Sequence, residues 1–218
     1  ATESFPDAPR GAHTCGVSLP GDHLFALLVA VSFAAGLNLY ATVATLGLLA
    51  HAGVIGLPAS LNLLDNWYVI GVSIALFALE FVADKIPGFD LAWNALHTFI
   101  RVPVAALLAY RAADSLTPWE QLAAAAAGGA IALIAHGGKT AARAAVTPSP
   151  EPFSNIALSL GEDVVAISIT WLATRHPYLA AGIVTAILLI TFLMVRWIVR
   201  WLKTLFSPQK PAPGEMRS

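Results

Sequence analysis

Charged side chains are scarce in this chain. Lysine, arginine, aspartate and glutamate make up 11% of its 218 residues, whereas hydrophobic residues make up 57%. A soluble globular domain carries about a quarter charged residues. Because so few charges cannot cover a water-facing surface, lipid must replace water over much of it. The composition therefore predicts a multi-pass integral membrane protein.

Sequence signals of several other functions are also missing. The net charge is −1, so no basic face indicates a nucleic-acid partner. The single cysteine, Cys15, makes neither an internal disulfide nor a cysteine metal site. The chain has no phosphate-binding glycine loop with Lys-Ser/Thr, no HExxH and no GxSxG motif, and its histidines are scattered. We therefore predict no catalytic residue, metal or cofactor.

Apolar segments divide the chain into a polar tail over residues 1–23, a transmembrane helical domain over 24–203 and a second polar tail over 204–218. A spanning helix needs about 20 mostly apolar residues. The segments that qualify are 24–52, 67–83, 99–113, 119–136, 164–174 and 178–202. The pattern predicts an all-α class: a polytopic transmembrane helix bundle of about six spans.

Lysine and arginine gather on one side of such a bundle. With six spans and a cytoplasmic N-terminus, only Arg111 and Arg175 fall outside, and the other ten of the 12 basic residues lie inside. Basic residues favour the cytoplasmic side of a membrane protein. This bias favours six spans with both termini cytoplasmic.

One group of ionisable residues follows the second predicted span: Glu80, Asp84, Lys85, Asp90, His97 and Arg101. Charges beside apolar spans usually face a partner, a cavity or water. Glu80 and Asp84 are four residues apart and share a helix face, where Lys85 and Arg101 can neutralise them. Glu80 lies deepest in an apolar run and is the candidate for proton coupling. The alternative is a cytoplasmic boundary where these charges emerge into water.

A second group follows the fourth predicted span: His136, Lys139, Arg143, Glu162 and Asp163. The three basic residues recur at helical spacing and form one stripe. Such a stripe binds an anion or a lipid head group, or else pairs with Glu162 and Asp163. Inside the first predicted span, the amide of Asn38 needs hydrogen-bond partners. It either joins two helices or lines a polar pathway.

Proline-rich segments interrupt both groups. Proline lacks an N–H donor and disfavours helix in the residue before it, so Pro87–Gly88 and residues 147–152 are predicted to be irregular. Around these breaks, residues 94–108 align with 155–169, which pairs Thr98 with Ser159 and Arg101 with Glu162. The alignment suggests an internal two-fold repeat whose halves are parallel.

Four segments carry a resemblance to a known family: residues 36–40, 80–90, 97–101 and 159–163. They resemble the domain of unknown function 4126 family of bacterial membrane proteins, over roughly residues 24–174. The resemblance implies a multi-spanning protein of the bacterial cytoplasmic membrane. It implies no activity, substrate or catalytic residue.

Three functional hypotheses remain open. The first is a small transporter or channel for an ion or small solute, in which the two charged groups form a polar site near the cytoplasmic side. The second is a structural or assembly subunit of a larger membrane complex. The third is an enzyme that acts on lipid and holds a phosphate on the basic stripe. Membrane lipid is an expected partner in each case, and self-association is a further expectation.

Overall fold

The chain folds into α-helices joined by short connections. The computed structural model describes residues 21–86, 89–146 and 152–205, and no β-strand occurs among them. The helices are α1 (Gly21–Leu37), α2 (Leu39–His51), a 3-10 helix (Ala59–Asp65), α3 (Trp67–Ala83), α4 (Phe89–Ala112), α5 (Pro118–Val146), α6 (Pro152–Arg175) and α7 (Pro177–Leu205). The predicted all-α helix bundle is confirmed. Most of both predicted tails, Pro87–Gly88 and residues 147–151 lie outside the described residues.

Four of the described helices are long and apolar enough to cross a membrane. They lie in α4, α5, α6 and α7. The 3-10 helix and α3 meet at a bend of 62° and together make a fifth candidate span. The remaining two helices, α1 and α2, have 17 and 13 residues. Since a span needs about 20 residues, each of these two is too short to cross alone.

The first apolar segment is broken at Asn38, which separates α1 from α2. Asn38 has extended backbone angles, φ −146° and ψ 102°. Its side-chain oxygen accepts a hydrogen bond from the backbone N–H of Ala41 at 3.0 Å and so caps the start of α2. After the break the chain turns back, because the start of α1 at His23 and the segment after α2 at Val54 line the same cavity. The two helices therefore form a hairpin that enters the bundle and leaves at the end where it entered.

Small residues let this hairpin sit close to its neighbours. A Cβ added at Gly36 would lie 2.5 Å from the carbonyl oxygen of Ala132 in α5. A Cβ at Gly128 would meet Ala109 of α4 and Ser32 of α1 at 2.6 and 2.9 Å. Close backbone approach of this kind is the usual packing device of helices in lipid. As a result, α1 packs in the middle of the bundle, against α4, α5, α6 and α7.

The bundle has two distinguishable ends. The rings of His23 at the start of α1 and Tyr178 at the start of α7 lie 4.7 Å apart, so both helices begin at the same end. Since α7 is 29 residues long, its last residues lie at the other end. We call the end that holds His23 and Tyr178 the entry end.

The course of the described chain differs from the predicted one in a single detail. Six spans would return the chain to its starting side, whereas the start of α1 and the end of α7 lie at opposite ends of the bundle. The reason is the break at Asn38, which turns the first predicted span into a hairpin that does not cross. Residues 1–20 and 206–218 lie outside the described residues, so the expectation that both termini share one side stays a prediction.

The two helices that the proposed repeat aligns run in the same direction through the bundle. Helices α4 and α6 both run towards the entry end, because Ala112 and Ala173 line the cavity there. Each begins after a proline-containing connection and carries polar residues in its first half. Whether the two halves are true repeats stays a prediction.

Candidate functional site

A cluster of ionised side chains is buried where the hairpin tip meets α3, α4, α5 and α6. Glu80 of α3 and Arg101 of α4 are both fully buried. An Nη2 N–H of Arg101 donates to Glu80 Oε1. The Nζ of Lys139 in α5 lies 3.3 Å from the same oxygen. Because a buried charge is expensive unless it is paired, these three side chains hold α3, α4 and α5 together.

The cluster continues through Arg143, one turn beyond Lys139 on α5. Its Nη2 lies 2.7 Å from Asp84 Oδ2 and 2.6 Å from Glu162 Oε2. Lys139 Nζ contacts the same two carboxylates at 3.4 and 3.2 Å. Two cations of α5 therefore bridge Asp84, just after α3, to Glu162 on α6.

The tip of the hairpin is bound directly by this cluster. The carbonyl oxygen of Leu37 accepts from Arg101 Nη1 at 3.1 Å and from Lys139 Nζ at 3.2 Å. Leu37 is the last residue of α1, and the C-terminus of a helix carries partial negative charge. Asn38 donates from Nδ2 to Asp163 Oδ1 at 2.9 Å. The break between α1 and α2 thus supplies a backbone carbonyl and a side-chain amide to the charged site.

His136 completes the inner wall of the site. Its Nδ1 lies 3.2 Å from Arg101 Nη1, and its Nε2 lies 3.0 Å from the carbonyl oxygen of Asn94 and 2.8 Å from Thr98 Oγ1. An arginine can only donate, so Nδ1 must accept and the proton belongs on Nε2. His136 is therefore neutral in this arrangement.

Asp163 is bound differently from the other acids of the cluster. Asn38 is its hydrogen-bond donor, and no cation lies in ion-pair range of it within the described residues. Several buried oxygens here also have no hydrogen-bond partner among those residues: Glu80 Oε2, Asp84 Oδ1, Ser159 Oγ and Asp163 Oδ2. Unpaired buried oxygens of this kind usually bind water or a proton.

Three candidate residues lie at the edge of the cluster or beyond it. Lys85 donates to the carbonyl oxygen of Phe81 at 2.8 Å. Partial burial lowers the pKa of Lys85, while the nearby carboxylates of Asp163 and Asp84 act in the opposite direction. His97 pairs its Nε2 with the hydroxyl of Tyr40 at 3.1 Å. Asp90 is the second residue of α4, and its side chain is outside the described set.

An apolar cavity of about 350 Å³ lies at the entry end of the same helices. Its walls include Leu28, Leu46, Leu61 and Leu108, and its polar residues include His23, Ser32, Thr174 and Arg175. Ala35 and Ala105 also line it. Ala105 is one turn from Arg101 on α4, and Ala35 is two residues before Leu37. The cavity therefore ends about one helical turn from the charge cluster.

The structure joins the two predicted charged groups into one. Lys139 and Arg143 of the second group contact Glu80 and Asp84 of the first. The second group was predicted to follow the fourth span, and this is corrected, because Lys139 and Arg143 lie within α5 and Glu162 and Asp163 lie within α6. These helices continue through the charges because opposite charges neutralise one another across the helix contacts.

The basic stripe of α5 is not open to a ligand. His136, Lys139 and Arg143 are 1–3% exposed, and the carboxylates and carbonyls described above contact all three. The stripe is therefore paired internally rather than bound to a ligand. A lipid phosphate has no access to it in this conformation. Among the described residues, no group of three or more histidine, cysteine, aspartate or glutamate side chains has the geometry to hold a metal.

Sequence reasoning missed two parts of the site. The Leu37 carbonyl is a backbone group, and any residue type would supply it. The cavity consists of space between helices, and its walls are the same leucines and alanines that fill the rest of the bundle. Asn38 was the one available signal, since a polar residue interrupts an otherwise apolar segment there.

The chain was compared with known protein families, curated proteins and solved structures. The model of a domain of unknown function, DUF4126, matches residues 25–197. No curated protein and no solved structure matches the chain.

Proposed function

The chain belongs to the DUF4126 family, and from its geometry we propose that it is a small transporter or channel that moves an ion or a small polar solute across the membrane. One observation carries the proposal. A cavity at the entry end stops one turn above a buried charge cluster, and a helical hairpin that does not cross the membrane separates the two.

Broken helices at membrane depth support this function. Irregular backbone inside a membrane is tolerated where it is enclosed by protein or lines a cavity, and in transporters the ends of broken helices contribute to substrate and ion sites. The 14 steps from His23 to Leu37 correspond to about 21 Å of helix at about 1.5 Å per residue. Since the hydrocarbon core is about 30 Å thick, the tip lies roughly two-thirds of the way through.

Charge distribution supports an orientation for this path. The described basic residues at the cluster end are Lys85, Arg101, Lys139, Arg143, Arg196, Arg200 and Lys203, whereas Arg111 and Arg175 lie at the entry end. Basic residues favour the cytoplasmic side. The proposed orientation therefore places the cavity outside and the cluster towards the cytoplasm.

Flux through reconstituted protein tests the proposal. Vesicles of phosphatidylethanolamine and phosphatidylglycerol would carry the full chain, and the passage of protons, potassium, chloride and glycerol would be followed by dyes and light scattering. We expect at least one probe to pass at least tenfold faster than through protein-free vesicles. Rates equal to those of protein-free vesicles for all four probes would overturn the proposal.

A matched pair of variants tests whether the flux passes through the cavity. Leu108→Trp fills space in the cavity wall, whereas Leu107→Trp places the same side chain on the outer face of α4, where Leu107 is exposed. We expect the first to reduce the flux at least tenfold and the second to leave it within about twofold. Equal flux in both variants would show that the path does not use this cavity.

An assembly subunit remains the second candidate. Helix α3 packs mainly on α2, and it exposes Tyr68, Val72, Leu79 and Val82. Lipid or a partner helix could cover this face. A partner that co-purifies in fixed stoichiometry, together with no flux of any probe, would favour this function over transport.

A further inference from the structure

Among the described residues, the ion pairs of the cluster join three carboxyl groups to three cations and leave a fourth carboxyl group outside them. The carboxyls of the cluster are Glu80, Asp84, Glu162 and Asp163, and its cations are Arg101, Lys139 and Arg143. His136 adds no charge, because its Nδ1 accepts from Arg101. Three of the four carboxyls contact at least one cation, and the fourth is Asp163.

The groups around Asp163 come from several helices, and no cation among the described residues forms an ion pair with it. From α3 and its end come Glu80, Asp84 and Lys85, and from α5 comes Lys139. Lys139 contacts three other carboxylates, and Lys85 donates to a backbone carbonyl. From the break between α1 and α2 comes the neutral amide of Asn38. Among the described residues, no ion pair joins Asp163 to α1 or α7.

A carboxylate in this position is unfavourable. Asp163 is 5% exposed, and its Oδ2 has no partner among the described residues. Burying an unpaired charge costs far more free energy than burying a neutral group, and the usual outcome is neutralisation. In a membrane protein such residues typically mark proton or ion pathways.

We propose that Asp163 is the proton-binding residue of this protein and that its protonation state controls the hairpin tip through Lys139. The proposal rests on the proposed transport function and names the proton as its coupling ion. Glu80, the candidate from the sequence, is less suited to this role because two cations contact it.

The hydrogen bonds suggest how the two states differ. When Asp163 is protonated, the O–H lies on Oδ2 and the carbonyl Oδ1 accepts from Asn38. On release, the Oδ2–H bond breaks, the proton passes to a water molecule, and the electron pair stays on the carboxylate. The new charge attracts Lys139, which also binds the Leu37 carbonyl. Movement of Lys139 towards Asp163 therefore weakens the contact that holds the tip.

Infrared difference spectroscopy on the full chain in lipid vesicles tests the proton site directly. A protonated carboxyl has a C=O stretching band that disappears when the group ionises. We expect the parent protein to show such a band, titrating with pH. We expect Asp163→Asn to lose it and Glu80→Gln to keep it. A band that survives in Asp163→Asn, or that is lost in Glu80→Gln alone, would overturn the proposal.

A conservative variant keeps the test decisive if Asp163→Asn fails to fold. Asp163→Glu retains the carboxyl, so we expect the titrating band to persist at a shifted frequency. An unshifted band would assign the proton to another residue and overturn the proposal. Circular dichroism and gel filtration of each variant establish that the bundle is intact.

Proton flux separates this inference from the transport proposal. We expect Asp163→Asn to reduce proton flux into vesicles at least tenfold, Asp163→Glu to restore part of it, and the lipid-facing Leu107→Trp to match the parent. If the band titrates at Asp163 but no probe crosses the membrane, the transport proposal fails and the proton site stands. If flux occurs and the band does not belong to Asp163, the inference fails and transport stands.

Discussion

The two ends of the bundle share α4 and α6 but are built in opposite ways. At the cluster end, α4 and α5 present Arg101, Lys139 and Arg143, and at least one carboxylate lies within about 3.4 Å of each. Towards the entry end, α4 presents Ala105, Ala109 and Ala112 to a cavity of about 350 Å³. One end is therefore fixed by directional charge pairs, whereas the other has free volume. Conformational change is expected mainly at the cavity and the hairpin, and within the cluster only at Lys139.

Removing a cation from the cluster end is expected to have the largest effect on the free energy of unfolding. Arg101→Ala leaves Glu80 buried beside Lys139 alone and removes a donor from the Leu37 carbonyl. Removing one partner of a buried ion pair typically costs about 3–5 kcal/mol, and we expect a loss of that size in the free energy of unfolding, measured by denaturant titration in detergent. Arg175→Ala, at the exposed rim of the cavity, should change it by no more than about 0.5 kcal/mol. Equal losses in the two variants would contradict the contrast.

The contact between hairpin and α5 gives the next largest effect. Gly36→Ala places a methyl group 2.5 Å from the Ala132 carbonyl oxygen, and overpacking of this kind typically costs about 1–3 kcal/mol. The matched control is Gly71→Ala on α3, where a Cβ meets nothing within 4 Å. There alanine should be neutral or stabilising by up to about 1 kcal/mol, because it favours helix over glycine. Thermal unfolding of the two variants in one detergent provides the comparison, and a Gly36→Ala protein as stable as the parent would show that the hairpin does not sit this close.

Loss of the Asn38 side-chain amide, at the break between α1 and α2, should have an intermediate effect on the free energy of unfolding. Asn38→Ala removes the cap of α2 and the donor to Asp163. Loss of an N-cap typically costs about 1 kcal/mol, so we expect a destabilisation of about 1–2 kcal/mol by denaturant titration. Asn66→Ala is the control, because Asn66 caps α3 without contacting the cluster and should lose the cap contribution alone. An equal loss in both variants would mean that the bond from Asn38 to Asp163 contributes nothing measurable.

The smallest effect is expected at the cavity end. Leu108→Trp adds volume where space already exists, so its free energy of unfolding should stay within about 1 kcal/mol of the parent, below the usual 1–3 kcal/mol of overpacking. Ala132→Leu adds volume where none exists, since Ala132 is fully buried against Gly36. Denaturant titration of both variants compares free volume with packed volume. A larger loss for Leu108→Trp than for Ala132→Leu would show that the cavity is absent in the membrane.

Composition was sufficient to predict the membrane class and the helical architecture. Spans 119–136 and 178–202 correspond to parts of α5 and α7, because their apolar runs are long and uninterrupted. The charged helices were cut short, since residues such as Arg101 and Lys139 lower the local hydropathy and resemble a membrane boundary. Their pairing partners lie on other helices, up to 59 residues away in the case of Lys139 and Glu80. Segment composition carries no information about such partners.

The hairpin was the feature least accessible to sequence reasoning. Residues 24–52 are mostly apolar, and an asparagine in such a run is compatible with a straight span or a break. The direction taken after Asn38 is decided by its bond to Asp163, 125 residues away, and by close packing against α5. The lipid environment alone is compatible with either a straight span or a hairpin.

The hairpin also has a consequence for the order of synthesis. Its carbonyl and amide groups at Leu37 and Asn38 are bound by Arg101, Lys139 and Asp163, all of which leave the ribosome later than the hairpin itself. In hydrocarbon, unsatisfied backbone groups are unfavourable. The nascent α1–α2 segment must therefore wait at the membrane or in its insertion machinery until α4, α5 and α6 have entered. A chain truncated before α6 should fail to seat α1 and α2, so these two helices reach their native place only after helices that are made later.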